Sequence, residues 1–295
     1  MYALRWVTIY TLYSAFILIV ASFFILQLPW VQTRLTRRVL ESVTEQTGFK
    51  ASIGRLEFYW FDRLHIKNLR ITDPENNDMF NIASLRLNFT FQGLVQGHGY
   101  ELDAALADSA TVHLATIKEN DSVNNLNINV FVHRLMPRSG KKPARTPAIT
   151  VGEVLLKNGT FIYASDRDSI TQGFDYNHFR VNIAGAEVQQ LFIQDDTVSM
   201  QVQSLQATEA KTRLSIHQLH TFFRFSDRGL EFHGIELQAG KSYIADTVLF
   251  RFSGQDDLSD FADSVWAEIH LKKTVIHPED LALFAPGTEK LLQHG

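Results

Sequence analysis

Few residues in this chain stand at spacings that could do chemistry. Ala239-Gly240-Lys241-Ser242 has the ending of a phosphate-binding loop, but such a loop needs a glycine five residues before Gly240. Ile235 stands there, and Gly234 is one place out of step, so the stretch is expected to be a hairpin turn. His217 and His220 lie three apart in an expected strand, which sends them to opposite faces. No third ligand follows at a metal-site spacing. Asp256, Asp257, Asp260 and Asp263 crowd one loop without the alternating ligands and closing Glu of a calcium hand. No G-x-S-x-G elbow occurs, and with 0 cysteines there is no thiol nucleophile, disulfide framework or Cys-based zinc site. The expectation is a non-enzyme with no catalytic residues, no metal and no cofactor.

What the sequence does carry is a bilayer-length apolar run, Val7 to Leu28, with no charge between Arg5 and Arg34. About 22 helical residues span roughly 33 Å, enough for a hydrocarbon core of roughly 30 Å. A cleaved secretory signal would have an apolar region of only about 7 to 15 residues ending at a small-x-small site, and Pro29-Trp30-Val31-Gln32 is no such site. Trp6 and Trp30 flank the run as interfacial aromatics do. The expectation is an uncleaved single-pass anchor over residues 1–28. Arg34, Arg37 and Arg38 follow it while only Arg5 precedes it, so local charge favours a cytoplasmic C-terminal part. Long domains, however, cross membranes largely regardless of charge.

The chain has 295 residues, of which 45% are hydrophobic, with 22 Phe, enough to bury a large apolar surface and too apolar to be disordered. Its formal net charge of −4 argues against a nucleic-acid partner. An exported chain without cysteine suits a bacterial envelope protein, and the sequons at Asn88, Asn120 and Asn158 are taken as chance.

Residues 29–48 read as a juxtamembrane helix. Val31, Leu35, Val39 and Val43 recur every fourth residue, Arg34, Arg37 and Glu41 lie opposite, and Gly48 ends it. Beyond Gly48 the period becomes two. Ala83, Leu85, Leu87, Phe89 and Phe91 define one apolar strand face. Similar runs start at Ala110, Leu126 to Val132, Phe179, Val198 and Val265. Turn signals at Asp73-Pro74, Asn158-Gly159, Asp227 to Gly229 and Ala239-Gly240 predict hairpins between antiparallel neighbours. MPRSGKKPARTP, residues 136–147, is a Pro-rich basic linker that divides a first β segment, 49–135, from a second, 148–295. His277-Pro278 opens a short helix that Pro286 stops, and the last strands have no closing element, as in the front portion of something longer. Patterning alone favours a closed β-sandwich over an open apolar trough.

The order of the pieces changes that preference. A basic helix ending in Thr47-Gly48 is followed by Ile53-Gly54, by L-x-I-x-N-L-x-I-x-D from Leu64 to Asp73, and by the strand from Ala83. ITVGEVLLKNGTFIYAS, from Ile149, and the segment from Gly173 to Ile244 continue the pattern. Together they cover most of residues 1–285, and they resemble the AsmA-like proteins, specifically the TamB family as found in Bacteroidetes-type bacteria. The motifs are weak singly and moderately specific in this order.

The resemblance implies a mainly β protein anchored in the bacterial inner membrane, with antiparallel strands forming an open β-taco groove in the periplasm that conducts phospholipid toward the outer membrane. It brings no catalytic residues. On it, Leu85, Leu87, Phe89, Phe91, Phe179, Val181 and Ile183 would line the groove, and Arg34, Arg37 and Arg38 would meet headgroups. The family's characteristic C-terminal domain is absent, which puts contact with an outer-membrane barrel partner in doubt. The alternative function is a scaffold for outer-membrane protein assembly by strand pairing.

Overall fold

Proline and glycine bound the first helix. α1, Pro29–Thr47, opens on a proline whose missing N–H costs nothing there, and ends where Gly48 takes φ 75° and donates its N–H to the Thr44 carbonyl. The computed structural model describes residues 28–59, 62–89, 100–120, 123–135, 148–195, 197–253 and 265–284, with helical positions at 13, 14, 17, 21, 24 and 25. Most of the expected span from Val7 to Leu28 lies outside these residues, as do Trp6, Phe91, the 136–147 linker and the aspartates from Asp256 to Asp263. No helix among the described residues is long and apolar enough to cross a membrane.

After α1 come β1 (Lys50–Tyr59), β2 (Arg63–Thr72), β3 (Asp78–Phe89), β4 (Tyr100–Asn120) and β5 (Val123–Leu126). Then follow α2 (Asn127–Leu135), β6 (Ile149–Ala164), β7 (His178–Gln194), β8 (Thr197–Glu209) and β9 (Ser215–Ser226). β10 (Gly229–Ala239), β11 (Ser242–Arg251), β12 (Trp266–Leu271) and α3 (Pro278–Phe284) complete the order. The strands form one open sheet in the order β1-β2-β3-β4-β6-β7-β8-β9-β10-β11-β12, with β5 paired to β4 alone. β1 and β12 are its two ends and do not meet, so this is neither a closed barrel nor two stacked sheets. Both β segments flanking the linker belong to this sheet.

Three expectations need correction. Neighbours are antiparallel except β4 and β6, which run parallel, because β5 and α2 intervene and the chain re-enters the sheet in the same direction. The stretch from Leu126 to Val132 alternates like a strand but is helical beyond Leu126. Asn127, Val130, Phe131 and Arg134 also recur at spacings of three and four, and burying that face prevails: Asn127 and Val130 are fully buried. Asn158-Gly159 is no hairpin turn, for it sits in the middle of β6.

α2 is held over one end of the sheet by a polar hub and an apolar cluster. The buried Asp73 carboxylate accepts the amides of Glu75 (3.0 Å) and Asn77 (2.8 Å) and the side-chain amide of Asn127 (3.2 Å). That Asn127 group also donates to the His113 carbonyl at 3.0 Å. Beside it Phe49, Met79, Ile117 and Val130 form the fully buried core, with Phe131 edge-on to Phe49 at 5.1 Å.

What Asn158 does becomes clear from the register. Asn68, Ser109 and Asn158 each have φ 53°, a left-handed conformation inside a strand. The pairings on either side set Gly54 opposite Asn68, Asn68 opposite Ala83, and Ala83 opposite Ser109. They continue with Ser109 beside Asn158 and Asn158 opposite Ala184. One straight line thus crosses six neighbouring strands, with a left-handed residue on β2, β4 and β6 and a Gly or Ala on β1, β3 and β7. Such irregularities bend a strand and increase its twist.

The line inverts the apolar parity of every strand it crosses. Leu64 and Ile66 give way to Leu69 and Ile71, Leu85 and Leu87 succeed Phe80 and Ile82, and Val154 and Leu156 give way to Phe161 and Tyr163. A strand of unbroken period two would throw one half of each set onto the other face. Here both halves stay together: a Cβ added at Gly159 would lie 2.8 Å from Leu156 Cδ2 and 3.3 Å from Ile183 Cβ. Asn158→Val, a β-branched residue forced to positive φ, should lose about 1–3 kcal/mol, read as a lower melting temperature of the detergent-solubilised chain. Asn158→Gly should stay within about 0.5 kcal/mol of wild type, and equal melting of both variants would remove the left-handed requirement.

Candidate functional site: the apolar face of the sheet

Cross-strand pairing assembles the apolar side chains into rows that no strand contains by itself. Below the crease Leu56, Ile66, Leu85, Ala107, Leu156, Ala186 and Leu205 are successive partners across seven strands. The next row is Phe58, Leu64, Leu87, Ala105, Val154, Val188 and Val202. At about 4.8 Å per strand, six spacings make each row about 29 Å long. Above the crease, Ile71, Phe80, Val112, Phe161 and Val181 form a comparable row that ends at Glu209.

The predicted lining residues therefore share one face but not one level. Leu85 and Leu87 lie below the crease on β3; Phe179, Val181 and Ile183 lie above it on β7. All five, and Phe89, are half-buried. Phe179 stacks on Tyr163 at 5.3 Å and meets Phe174 at 5.3 Å, which in turn meets Phe284 of α3 at 5.5 Å. That aromatic ladder closes one end of the face, while the rows below the crease have no layer over them among the described residues. Leu56, Ile66, Leu156 and Val188 are equal members that strand-by-strand patterning overlooks. Their signal in the sequence is the parity switch around Gly54, Asn68, Asn158 and Ala184.

On α1 the middle of the apolar stripe faces outward, with Leu35 40% and Val39 52% exposed and Trp30 63%, while Val31 and Val43 at its ends are half-buried. The side turned to β1 carries Thr36, Leu40 and Thr44 instead. Arg34, Arg37 and Arg38 are exposed and make no ion pair among the described residues.

The opposite face is polar and tied by charge. The Glu57 carboxylate sits 3.1 Å from Arg55, 3.3 Å from His65 Nδ1 and 3.4 Å from Lys67 Nζ, and accepts the Tyr59 hydroxyl at 2.9 Å. Partial burial raises its proton affinity, but the Tyr59 hydroxyl and the Lys67 and Arg55 cations prevail and hold its pKa below the usual glutamate value. His65 Nε2 lies 3.0 Å from Ser84 Oγ, completing a Ser-His-Glu string that has the connectivity of a nucleophile relay. Catalysis would also need backbone donors aimed at an oxyanion. Ser84 is mid-sheet between β2 and β4, where amides serve the ladder, so the string fastens three strands. Among the described residues no group of three metal-ligating side chains comes together. His217 is exposed, and His220 contacts Gln201 at 3.3 Å. The Gly240 turn joins β10 to β11 with φ 55°, and the Asp280 carboxylate accepts the Lys241 amide at 2.8 Å. No known family profile matches the chain, and no curated protein matches it.

Glu209, at the end of an apolar row, is buried. Burial alone would raise its pKa, yet it accepts the Lys211 amide (3.0 Å) and both the amide (2.6 Å) and hydroxyl (2.7 Å) of Thr212, and the net shift is downward. A lowered folded pKa supplies stability above the unfolded value, about 4.5, that is lost as pH falls through the folded value. Glu209→Gln should therefore melt below wild type at pH 7, with the gap narrowing in melts run progressively below pH of about 4.5. A gap independent of pH would mean that the carboxylate's charge contributes nothing.

Proposed function

We propose that this chain is the membrane-proximal part of a lipid-conducting β-trough of the AsmA-like and TamB kind. Residues 1–28 anchor it in a bacterial inner membrane, with the β region in the periplasm. The observation that supports this most is the pair of unbroken apolar rows on one half-buried face of a single open sheet. A face of that kind either packs on a second layer or binds something apolar, and no described layer covers these rows.

The mechanism is passive. The sheet folds along the crease, the apolar rows face inward, and acyl chains lie across the strands while headgroups stay in water. Each methylene kept from water contributes about 0.8 kcal/mol, so one chain of about sixteen carbons gains on the order of 12 kcal/mol over bare aqueous transit. Arg34, Arg37 and Arg38 stand at the phosphate level of the membrane, and the outward Leu35 and Val39 sink into its surface. No catalysis, metal or cofactor is needed for transfer of this type.

A second reading, a scaffold that receives outer-membrane strands by edge pairing, draws on the far end of the sheet. β12 exposes Trp266 (72%) and Ile269 (54%), where edge strands are ordinarily guarded by charge or proline. The two readings separate on bound lipid. The full chain purified in mild detergent should carry phospholipid in native mass spectra, and Leu85→Asp and Leu156→Asp should each reduce it to under about one third, since a buried charge opposes acyl contact. Wild-type protein without lipid, or variants carrying as much as wild type, would leave strand pairing ahead.

A further inference from the structure

From Gly48, α1 and β1 run back along one another, and between them lies a cleft of about 910 Å³, within the range of small-ligand sites. Leu40, Ile53 and Leu56 supply its apolar lining, and Thr36, Arg37 and Glu41 its polar one. Ile53 pairs with Leu69 and Leu56 with Ile66, so these two side chains begin the apolar rows on either side of the crease. The cleft is thus continuous with the apolar face.

Part of its polar wall, Thr36, Arg37 and Glu41, is unsatisfied. Thr36 Oγ1 is shut off from solvent and has no hydrogen-bond partner, a destabilising situation that a ligand oxygen would relieve. Arg37 and Glu41 are one helical turn apart, yet neither makes an ion pair or hydrogen bond among the described residues. Of the other charges lining the cleft, Glu57 is already taken by Arg55 at 3.1 Å and Lys67 at 3.4 Å. Glu45 stands a further turn beyond Glu41 and is also unpaired. Among the described residues lining the cleft, one unpaired cation, Arg37, followed along the helix by the unpaired carboxylates of Glu41 and Glu45, matches a headgroup that carries both a phosphate and an ammonium. A purely anionic headgroup would meet Glu41 and Glu45 with like charge.

We infer that the α1–β1 cleft holds the headgroup of a zwitterionic aminophospholipid, with its phosphate at Arg37 and Thr36 and its ammonium at Glu41. Leu40, Ile53 and Leu56 lead its acyl chains onto the apolar face of the sheet. The inference rests on the trough reading and gives it a loading site and a lipid class.

The test uses the full chain in detergent, with dioleoyl phosphatidylethanolamine or dioleoyl phosphatidylglycerol supplied in mixed micelles and bound lipid counted by native mass spectrometry. Wild type should prefer the ethanolamine lipid by about fivefold or more, as a charge-assisted contact allows. Arg37→Gln should weaken both lipids by about tenfold, and Glu41→Gln should abolish the preference. Both side chains are exposed, so unchanged melting temperatures exclude misfolding. Equal binding of the two lipids by wild type, or a preference that survives Glu41→Gln, overturns the cleft assignment. If lipid is retained, lost in Leu156→Asp, and unaltered in both cleft variants, the trough stands and the cleft falls. If wild type retains neither lipid, both fall. Glycerophosphoethanolamine binding as tightly as the intact lipid would make the ligand a soluble phosphodiester and overturn the lipid class.

Discussion

The shape of the apolar face depends on a single backbone constraint, the left-handed conformation at Asn68, Ser109 and Asn158. A strand of ten to twenty residues with strict alternation keeps its apolar side chains on one face only while it stays regular. Bending it at mid-length by inserting one left-handed residue shifts the alternation by one, and the sequence must shift with it. Six strands change parity at the same level, three of them, β2, β4 and β6, through a left-handed residue. Asn and Ser accept the conformation better than branched residues, because their short polar side chains hydrogen-bond locally. Ser109 shows this, donating to its neighbour Asp108 at 3.1 Å, and Asn158 donates to the same carboxylate across the strands at 3.1 Å.

The two ends of the strands are treated differently from the middle. At the end where α2 and α3 lie, carboxylates gather backbone donors: the buried Asp73 at the β2–β3 turn, the buried Glu209 at the end of β8, and the half-buried Asp280 against the β10–β11 turn. Each replaces water for amides that the ladder leaves unpaired. The fully buried core is small and sits at this same end, around Phe49, Met79, Ile117 and Val130. Along the apolar rows below the crease the side chains are half-buried.

Much of this was legible in the residues, and the errors have physical causes. α1 followed from Pro29, a fourfold apolar period and Gly48. The mainly β character followed from alternation, and α3 from His277-Pro278 and Pro286. Asn158-Gly159 misled because the same dipeptide that closes hairpins also supplies a left-handed residue inside a strand. Leu126 to Val132 misled because alternation and helical spacing coexist there, and only contact with Phe49 and Asp73 decides between them. Leu35 and Val39 were identified as a stripe, but a stripe does not say whether it turns inward.

By itself the sequence determined which residues are apolar, where the period is two, and which strands change parity at an Asn, Ser, Gly or Ala. It also determined that no cysteine chemistry is available. Tertiary structure alone decided that Gly54, Asn68, Ala83, Ser109, Asn158 and Ala184 fall on one line, and that Leu85 and Leu156 belong to one row. Those facts depend on register between strands far apart in the chain, including one parallel pair, and register is set by the whole apolar face at once because a one-residue slip would turn every side chain over.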